Sequence, residues 1–410
     1  MRILYISYYY FPRVSAATWS TYAISQRLAK NHDVLLLVPN IKYEMALNKE
    51  EIRETEKKNP VFLIRTPGVK IPLKLAPLIS PLILFLRGLI SGKNNDIIIC
   101  QFHPHHFTFI VAFFLGKIFR IPVVARANDV HRDMCLENQP FLQKLNIFRR
   151  TIFNTLNESF VKYANSFLVV CRENKEILES RLGRLKNLRI SYNGVDPNEF
   201  KGISKKDARK YLNIELKDKV ILFTGRFSGP EYRIDALLKS FTIIQKNIHN
   251  SLLILVGDKL QKAIQKELIF NSKRVRIIGP VTRSEIKRYL AASDVCVGPL
   301  GRTRAIPLKV LEYMVCGKPI ITGINSVSRD VAIDGFNCIC TPPEPQAIAE
   351  AIIKVLENEA YAQFLGTNAV KKASNFTWDK IVQDLEEVLL EAVNYHQFIN
   401  RSTIEKKRKL

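Results

Sequence analysis

Lys309 and Glu312 stand three residues apart in the segment RAIPLKVLEYMVCGKPI (304–320), and Arg226 closes the segment VILFTGR (220–226). On a helix, a three-residue spacing brings a cation and a carboxylate to the same face. Pro307 suits the first helical position, because the N–H it lacks would have no partner there. Lys309 then falls in the first turn, where free N–H groups and the positive end of the helix dipole already favour an anion. An ammonium added to that turn fits a phosphate or diphosphate. Glu312, one turn on, repels phosphate but suits ribose hydroxyls, which donate to a carboxylate in other nucleotide sites. Arg226 follows an apolar strand directly, at the end where open α/β sheets bind ligands. The competing reading of Lys309 and Glu312 is a surface pair, contributing a few tenths of a kcal/mol. A second cluster, QFHPHHF, holds His103, His105 and His106. No cysteine or carboxylate stands at ligand spacing beside them, so we expect no metal here, and His103 and His105 are read as lining a substrate site.

The elements that must carry these residues follow from periodicity. RILYIS, DVLLLVP, DIIICQ, IPVVARAN and SFLVVC are short apolar runs bounded by turn residues, and helical stretches lie between them. Near-continuous apolar strands alternating with helices indicate a parallel sheet covered on both faces. LRISYNGVDPNEF closes that first half with the turn signals Asn193-Gly194 and Asp196-Pro197. The alternation then restarts with VILFTGR, SLLILVGD, VRIIGP, DVCVGPL and PIITG. Two doubly wound, Rossmann-like α/β domains are expected, as the chain length also requires.

Composition narrows the function classes. Hydrophobic residues make up 47% and charged residues 24%, ordinary for a globular protein, but the net charge is +24. Residues 1–200 carry 28 Lys and Arg against 16 Asp and Glu, half of the excess, so no single basic tail explains it. An anionic partner is implied. The chain lacks a recognition motif for nucleic acid, so none is expected. There is no G-x-G-x-x-G, P-loop, D-x-D pair or G-x-S-x-G elbow, which lowers the weight of dehydrogenases, kinases and serine hydrolases. Seven cysteines at irregular spacing suit a reducing compartment, hence the cytoplasm. The start does not read as a signal peptide. LAPLISPLILFLRGLI (75–90) is interrupted by Pro77, Pro81 and Arg87 and is too broken for a simple membrane span.

In order along the chain, RILYISYYYFP, ISYNGVDPNEF, ILFTGRF, SLLILVGD, ASDVCVGPL, PLKVLEYMVCGKPII and DGFNCICTPPEPQAIAEAI resemble segments of the group 1 (family 4) retaining glycosyltransferases. The resemblance spans about residues 1 to 390. It implies the GT-B fold, two Rossmann-like domains facing each other across a cleft. Residues 1–197 would form the acceptor side and 198–375 the donor-binding domain. A helix over 376–395 would pack back toward the first domain, and 396–410 would be a basic tail. By the same resemblance Arg226 and Lys309 bind a donor diphosphate and Glu312 its ribose. Arg233 supplies a further cation, because Tyr232-Arg233 replaces the usual Lys-Gly. Ser15 and Ala16 stand for the glycines of the first loop. Asn128 takes the place of a histidine near the reacting sugar, with Asp129 and His131 beside it as candidate catalytic residues. The family's usual glutamate eight residues before Glu312 is Arg304 here. No metal or cofactor is implied. The expected reaction moves a sugar from a nucleoside-diphosphate sugar to a glycan or lipid-linked acceptor with retention of configuration. The alternatives are an epimerase or hydrolase of the same fold, or a non-catalytic nucleotide-sugar-binding subunit. An anionic membrane surface is expected to meet the first domain through the segment 70–93, with Leu82, Leu84 and Phe85 as apolar contacts, and through the basic helix 144–162.

Overall fold

Valine, isoleucine and leucine fill the strand runs so densely that both faces must be covered, and the computed structural model of the protein shows two parallel sheets with helices packed on them. It describes residues 1–11, 15–39, 61–65, 76–102, 107–128, 130, 160–258, 273–301 and 306–408. The chain divides into two compact units, Met1–Asn193 with Trp378–Leu410, and Gly194–Thr377.

The first unit runs β1 (Arg2–Ile6), α1 (Ala16–Leu28), β2 (Asp33–Val38), β3 (Phe62–Arg65), α2 (Ala76–Ser91), β4 (Ile97–Phe102), α3 (Thr108–Phe119), β5 (Val123–Ala127), β6 (Ser166–Val169), α4 (Arg172–Leu182) and β7 (Leu188–Ile190). Its seven parallel strands are ordered β3-β2-β1-β4-β5-β6-β7. The core includes Leu4, Ile6, Ile98, Phe102, Phe109, Leu115 and Phe167, all nearly inaccessible.

The second unit runs α5 (Lys205–Tyr211), β8 (Lys219–Gly225), α6 (Ile234–Asn247), β9 (Ser251–Gly257), β10 (Val275–Ile278), α7 (Arg283–Ala292), β11 (Val295–Val297), α8 (Leu308–Val315), β12 (Ile320–Gly323), β13 (Ile339–Thr341), α9 (Pro345–Glu357) and α10 (Glu359–Ala373). Six parallel strands are ordered β10-β9-β8-β11-β12-β13. Strand order therefore reverses between β8 and β11. The helices after β8 and after β11 pass to opposite faces of the sheet, opening a crevice at the strands' C-terminal ends.

The last helix, α11 (Trp378–Arg408), belongs to the first unit. Trp378, Ile381, Val382, Leu385 and Leu389 form its buried stripe at helical spacing. Arg27 donates from Nε to Asp379 Oδ1 at 2.7 Å, and His32 Nε2 lies 3.1 Å from Glu386 Oε1. The helix runs on to Arg408, so residues 396–408 are helical where a solvated tail was expected.

Candidate active site

The reversal between β8 and β11 is where Arg226 and Lys309 meet. β8 ends at Thr224-Gly225, and Arg226 follows. Gly225 has φ +110°, a conformation that disfavours any Cβ. A Cβ there would also come within 2.8 Å of Lys309 Nζ. Gly257, at the end of β9, leaves room for the Gly225 carbonyl, which a Cβ would approach to 1.7 Å. The loop is then fixed from two sides. Phe227 N donates to Asp258 Oδ1 at 2.6 Å, and Thr224 N donates to the buried Tyr313 hydroxyl at 3.0 Å. Arg226 itself is exposed and makes no hydrogen bond or ion pair among the described residues.

Lys309 sits in the first turn of α8. Pro307 takes the N-cap position, one residue earlier than its type suggests. The lysine stem is partly exposed, but Nζ is buried and has no hydrogen-bond partner among the described residues. It lies 4.0 Å from the Phe223 ring centroid and 4.5 Å from that of Tyr232, between two aromatic faces. Such faces stabilise a cation by about 0.5–2 kcal/mol. They cannot replace the hydrogen bonds that an ammonium loses with water. Burial accordingly pushes the Lys309 pKa down to about 7; Glu312, Glu231 and Asp258 oppose the shift and the charge of Arg226 adds to it. Burial, with the Glu231 carboxylate, also pushes the Tyr232 hydroxyl up to about 12, so it stays protonated at neutral pH.

Glu312 is buried on the same helix, and its Oε1 accepts from Arg283 Nη1 at 2.9 Å. Arg283 opens α7 and also donates from Nε to Glu199 Oε2 at 2.6 Å, while its guanidinium stands 5.4 Å from the Phe200 ring centroid. Burial alone would lower the Arg283 pKa; the Glu312 and Glu199 carboxylates outweigh it and raise it. Arg283 escaped the reading of the sequence because a basic residue at a helix start carries no local signal of its partner.

Arg233 is placed differently from the expectation. It has φ +47°, where the family's glycine would be unstrained. Its guanidinium is forked onto Asp235, Nε to Oδ1 at 3.1 Å and Nη2 to Oδ2 at 3.2 Å. That carboxylate takes up the charge expected to serve a diphosphate. Tyr232, in the lysine's place, instead packs against Lys309.

In the first unit, Asn128 follows β5, and its Oδ1 accepts from Arg126 Nη1 at 2.6 Å. Arg126 is buried in a strand, and its fork also reaches Ser20 Oγ, the Tyr192 carbonyl and Asn193 Oδ1 at 2.9–3.0 Å. Burial lowers its pKa to about 10, which still leaves it charged at neutral pH. Arg126 thus ties Asn128 to the N-G-V-D segment, a role its apolar surroundings in sequence concealed. Ser15 caps α1, its Oγ accepting from Thr18 N at 3.1 Å, and Ala16 begins that helix. Asp129, His131, His103, His105 and Arg304 lie outside the described residues.

Two parallel α/β units, with Arg226 and the Lys309 ammonium at the strand-order reversal of the second, offer a place for an anionic ligand, and likeness to known proteins gives the family. Residues 17–199 match the family described as Glycosyltransferase Family 4, and residues 204–372 match Glycosyl transferases group 1. The chain belongs to the group 1 glycosyltransferases, has the GT-B fold, and is a transferase. An uncharacterized glycosyltransferase of Methanocaldococcus jannaschii is 23% identical over 403 residues, covering 94% of this chain and 97% of the relative. The D-inositol 3-phosphate glycosyltransferase of Salinispora tropica is 25% identical over 210 residues, 46% of this chain and 42% of that protein. Among solved structures, Anabaena HepE in complex with UDP-glucose superposes with a TM-score of 0.72 at 19% identity, covering 95% of this chain and 100% of HepE. WaaG, a glycosyltransferase involved in lipopolysaccharide biosynthesis, gives 0.68 at 14% identity, covering 94% and 99%.

Proposed function

We infer that this enzyme transfers a sugar, with retention of configuration and without a metal ion, from a nucleoside-diphosphate sugar to a glycan or lipid-linked acceptor. The donor binds the second unit. A UDP-linked donor is the first to test, since the HepE structure contains UDP-glucose. One observation carries the reading: the Lys309 ammonium is buried at the strand-order reversal, between two aromatic rings, with no acceptor of its own among the described residues. A diphosphate supplies the missing acceptors and charge. Arg226, with no hydrogen bond or ion pair among the described residues, adds a second cation. As the sugar leaves, negative charge grows on the diphosphate, so these two cations bind the transition state more tightly than the ground state. That stabilisation takes the part a divalent ion plays elsewhere. Glu312 accepts from ribose hydroxyls. Among the described residues no carboxylate stands out as a nucleophile, so the acceptor attacks from the face that the diphosphate leaves, and the departing phosphate helps to remove the acceptor proton.

The acceptor falls to the first unit, which we assign to an anionic membrane surface at the cytoplasmic face. Ile79, Leu82, Leu86 and Ile90 form one exposed stripe on α2, and Phe114 and Ile118 are exposed on α3. Lys93 and Lys117 are exposed nearby in sequence, and Lys162 is exposed next to Tyr163, whose ring packs against Phe113 on α3. The apolar contacts differ from those expected: Leu84 is wholly buried in the core and Phe85 is packed against it. The expected basic helix 144–162 lies mostly outside the described residues.

Calorimetric titration with UDP, GDP and ADP tests the donor assignment. At least one should bind the native protein, and Lys309→Ala should weaken it by 100-fold or more. Equal affinity in the variant would remove the assignment.

A further inference from the structure

The Glu312 carboxylate cannot choose its own orientation. Its rotamer is set by a guanidinium from another helix, which is itself clamped on its far side. Arg283 reaches Glu312 Oε1 with Nη1 at 2.9 Å and Glu199 Oε2 with Nε at 2.6 Å. The Phe200 ring lies against the same guanidinium. Three groups therefore hold one planar fork, a geometry that lysine cannot reproduce. Glu312 is left with one oxygen engaged, and Oε2 has no hydrogen-bond partner among the described residues. The start of α7 does not depend on this fork. Thr282 and Glu285 form a reciprocal capping box there, with Thr282 N donating to Glu285 Oε2 at 2.9 Å.

We propose that Arg283, held by Glu199 and Phe200, is a positioning residue that aims Glu312 Oε2 at the donor ribose and so sets the enzyme's discrimination for ribose hydroxyls. This rests on the donor reading above. Arg283 does not touch the reacting atoms. Its hydrogen bond engages one carboxylate oxygen of Glu312 and so fixes the direction of the other. Glu199 and Phe200 belong to the N-G-V-D-P-N-E-F segment, so a stretch that reads as a turn and linker in sequence takes part in donor recognition.

The test compares whichever of UDP, GDP and ADP binds most tightly with its 2′-deoxy and 3′-deoxy counterparts, and with inorganic pyrophosphate. Native protein should prefer the ribonucleotide over at least one deoxy counterpart by about tenfold or more, the size of a hydrogen bond to a charged group. Arg283→Gln should reduce that preference to under about threefold while pyrophosphate affinity stays within about twofold. Arg283→Lys should fall between, and Glu199→Gln should move in the same direction. Thermal melts of each variant check folding. A merely structural role would weaken pyrophosphate and nucleotide together and leave their ratio unchanged. If native protein discriminates and Arg283→Gln does so equally, the positioning role is refuted and the ribose role of Glu312 stands. If native protein does not discriminate, or binds none of the three nucleotides, the ribose reading fails and this inference with it.

Discussion

Donor binding should take up a proton at Lys309. With a pKa of about 7, the lysine is mostly charged at pH 6 and mostly neutral at pH 8. A diphosphate favours the charged form, so the bound lysine holds its proton to higher pH and affinity must fall as pH rises. Glu312, Glu231 and Asp258 favour the charged ammonium and Arg226 disfavours it. The protonated fraction drops from about 0.9 at pH 6 to about 0.1 at pH 8, so the Kd of a UDP-sugar should rise about tenfold, about 1.4 kcal/mol. A sugar diphosphate diester is chosen because it has no proton of its own to lose in this range. Calorimetry at pH 8 in buffers of different ionisation enthalpy should count about 0.9 proton taken up per donor bound, and about 0.1 at pH 6. Lys309→Met should bind weakly and show neither effect. A native Kd that is flat from pH 6 to 8, with no buffer dependence, would refute the reasoning.

Other outcomes follow from the same geometry. Without ligand, Lys309→Met should raise Tm, since it removes a buried, unpaired charge; about 1 kcal/mol would appear as about 2–4 °C. The folded-state pKa is depressed, so the unfolded chain binds the extra proton between about pH 7 and the ordinary lysine value. Native stability should therefore climb with pH across that window, and the variant should lose that part of the slope. Arg226→Ala should lower kcat by about 100-fold or more with an unchanged melt, because the side chain is exposed and makes no hydrogen bond or ion pair among the described residues; near-normal turnover would remove it from the site. Gly225→Ala should impair donor binding through its positive φ and its contact with Lys309 Nζ, measured as Kd for the nucleoside diphosphate. The triple change Leu82→Ser, Leu86→Ser and Ile90→Ser should reduce sedimentation with anionic vesicles, and high salt should reduce native binding. Equal failure of native protein on neutral and anionic vesicles at low salt would send the acceptor assignment to a soluble glycan.

Local rules reach those parts of the proposed donor site whose cause is local. A strand end followed by Gly-Arg, and a proline-led helix start followed by lysine, are positions where backbone geometry alone predicts a ligand, and Arg226 and Lys309 stand there. The two doubly wound units were legible for the same reason, because a strand buried on both faces has no polar side to show. Partners chosen by tertiary structure were not legible. Arg283 finds Glu312 across 29 residues and Glu199 across 84. Asp258 finds Phe227 across 31. The outward face of α2 is hidden in the sequence because LAPLISPLILFLRGLI is apolar almost all round, so periodicity does not separate Leu84, in the core, from Leu86, on the surface. Phe114 likewise reads as core but is 47% exposed. Nothing in Tyr-Arg-Ile-Asp announces that the aspartate two residues on takes up the charge of Arg233.

The central claim is transfer from a diphosphate donor held by Lys309, and the most direct measurement is release of nucleoside diphosphate from a panel of UDP-, GDP- and ADP-sugars, with and without a lipid-linked glycan extract, in the presence of a chelator. Release from one donor should depend on the extract, survive chelation and be lost in Lys309→Ala. Release of the same size without any acceptor, or an undiminished rate in Lys309→Ala, would contradict it.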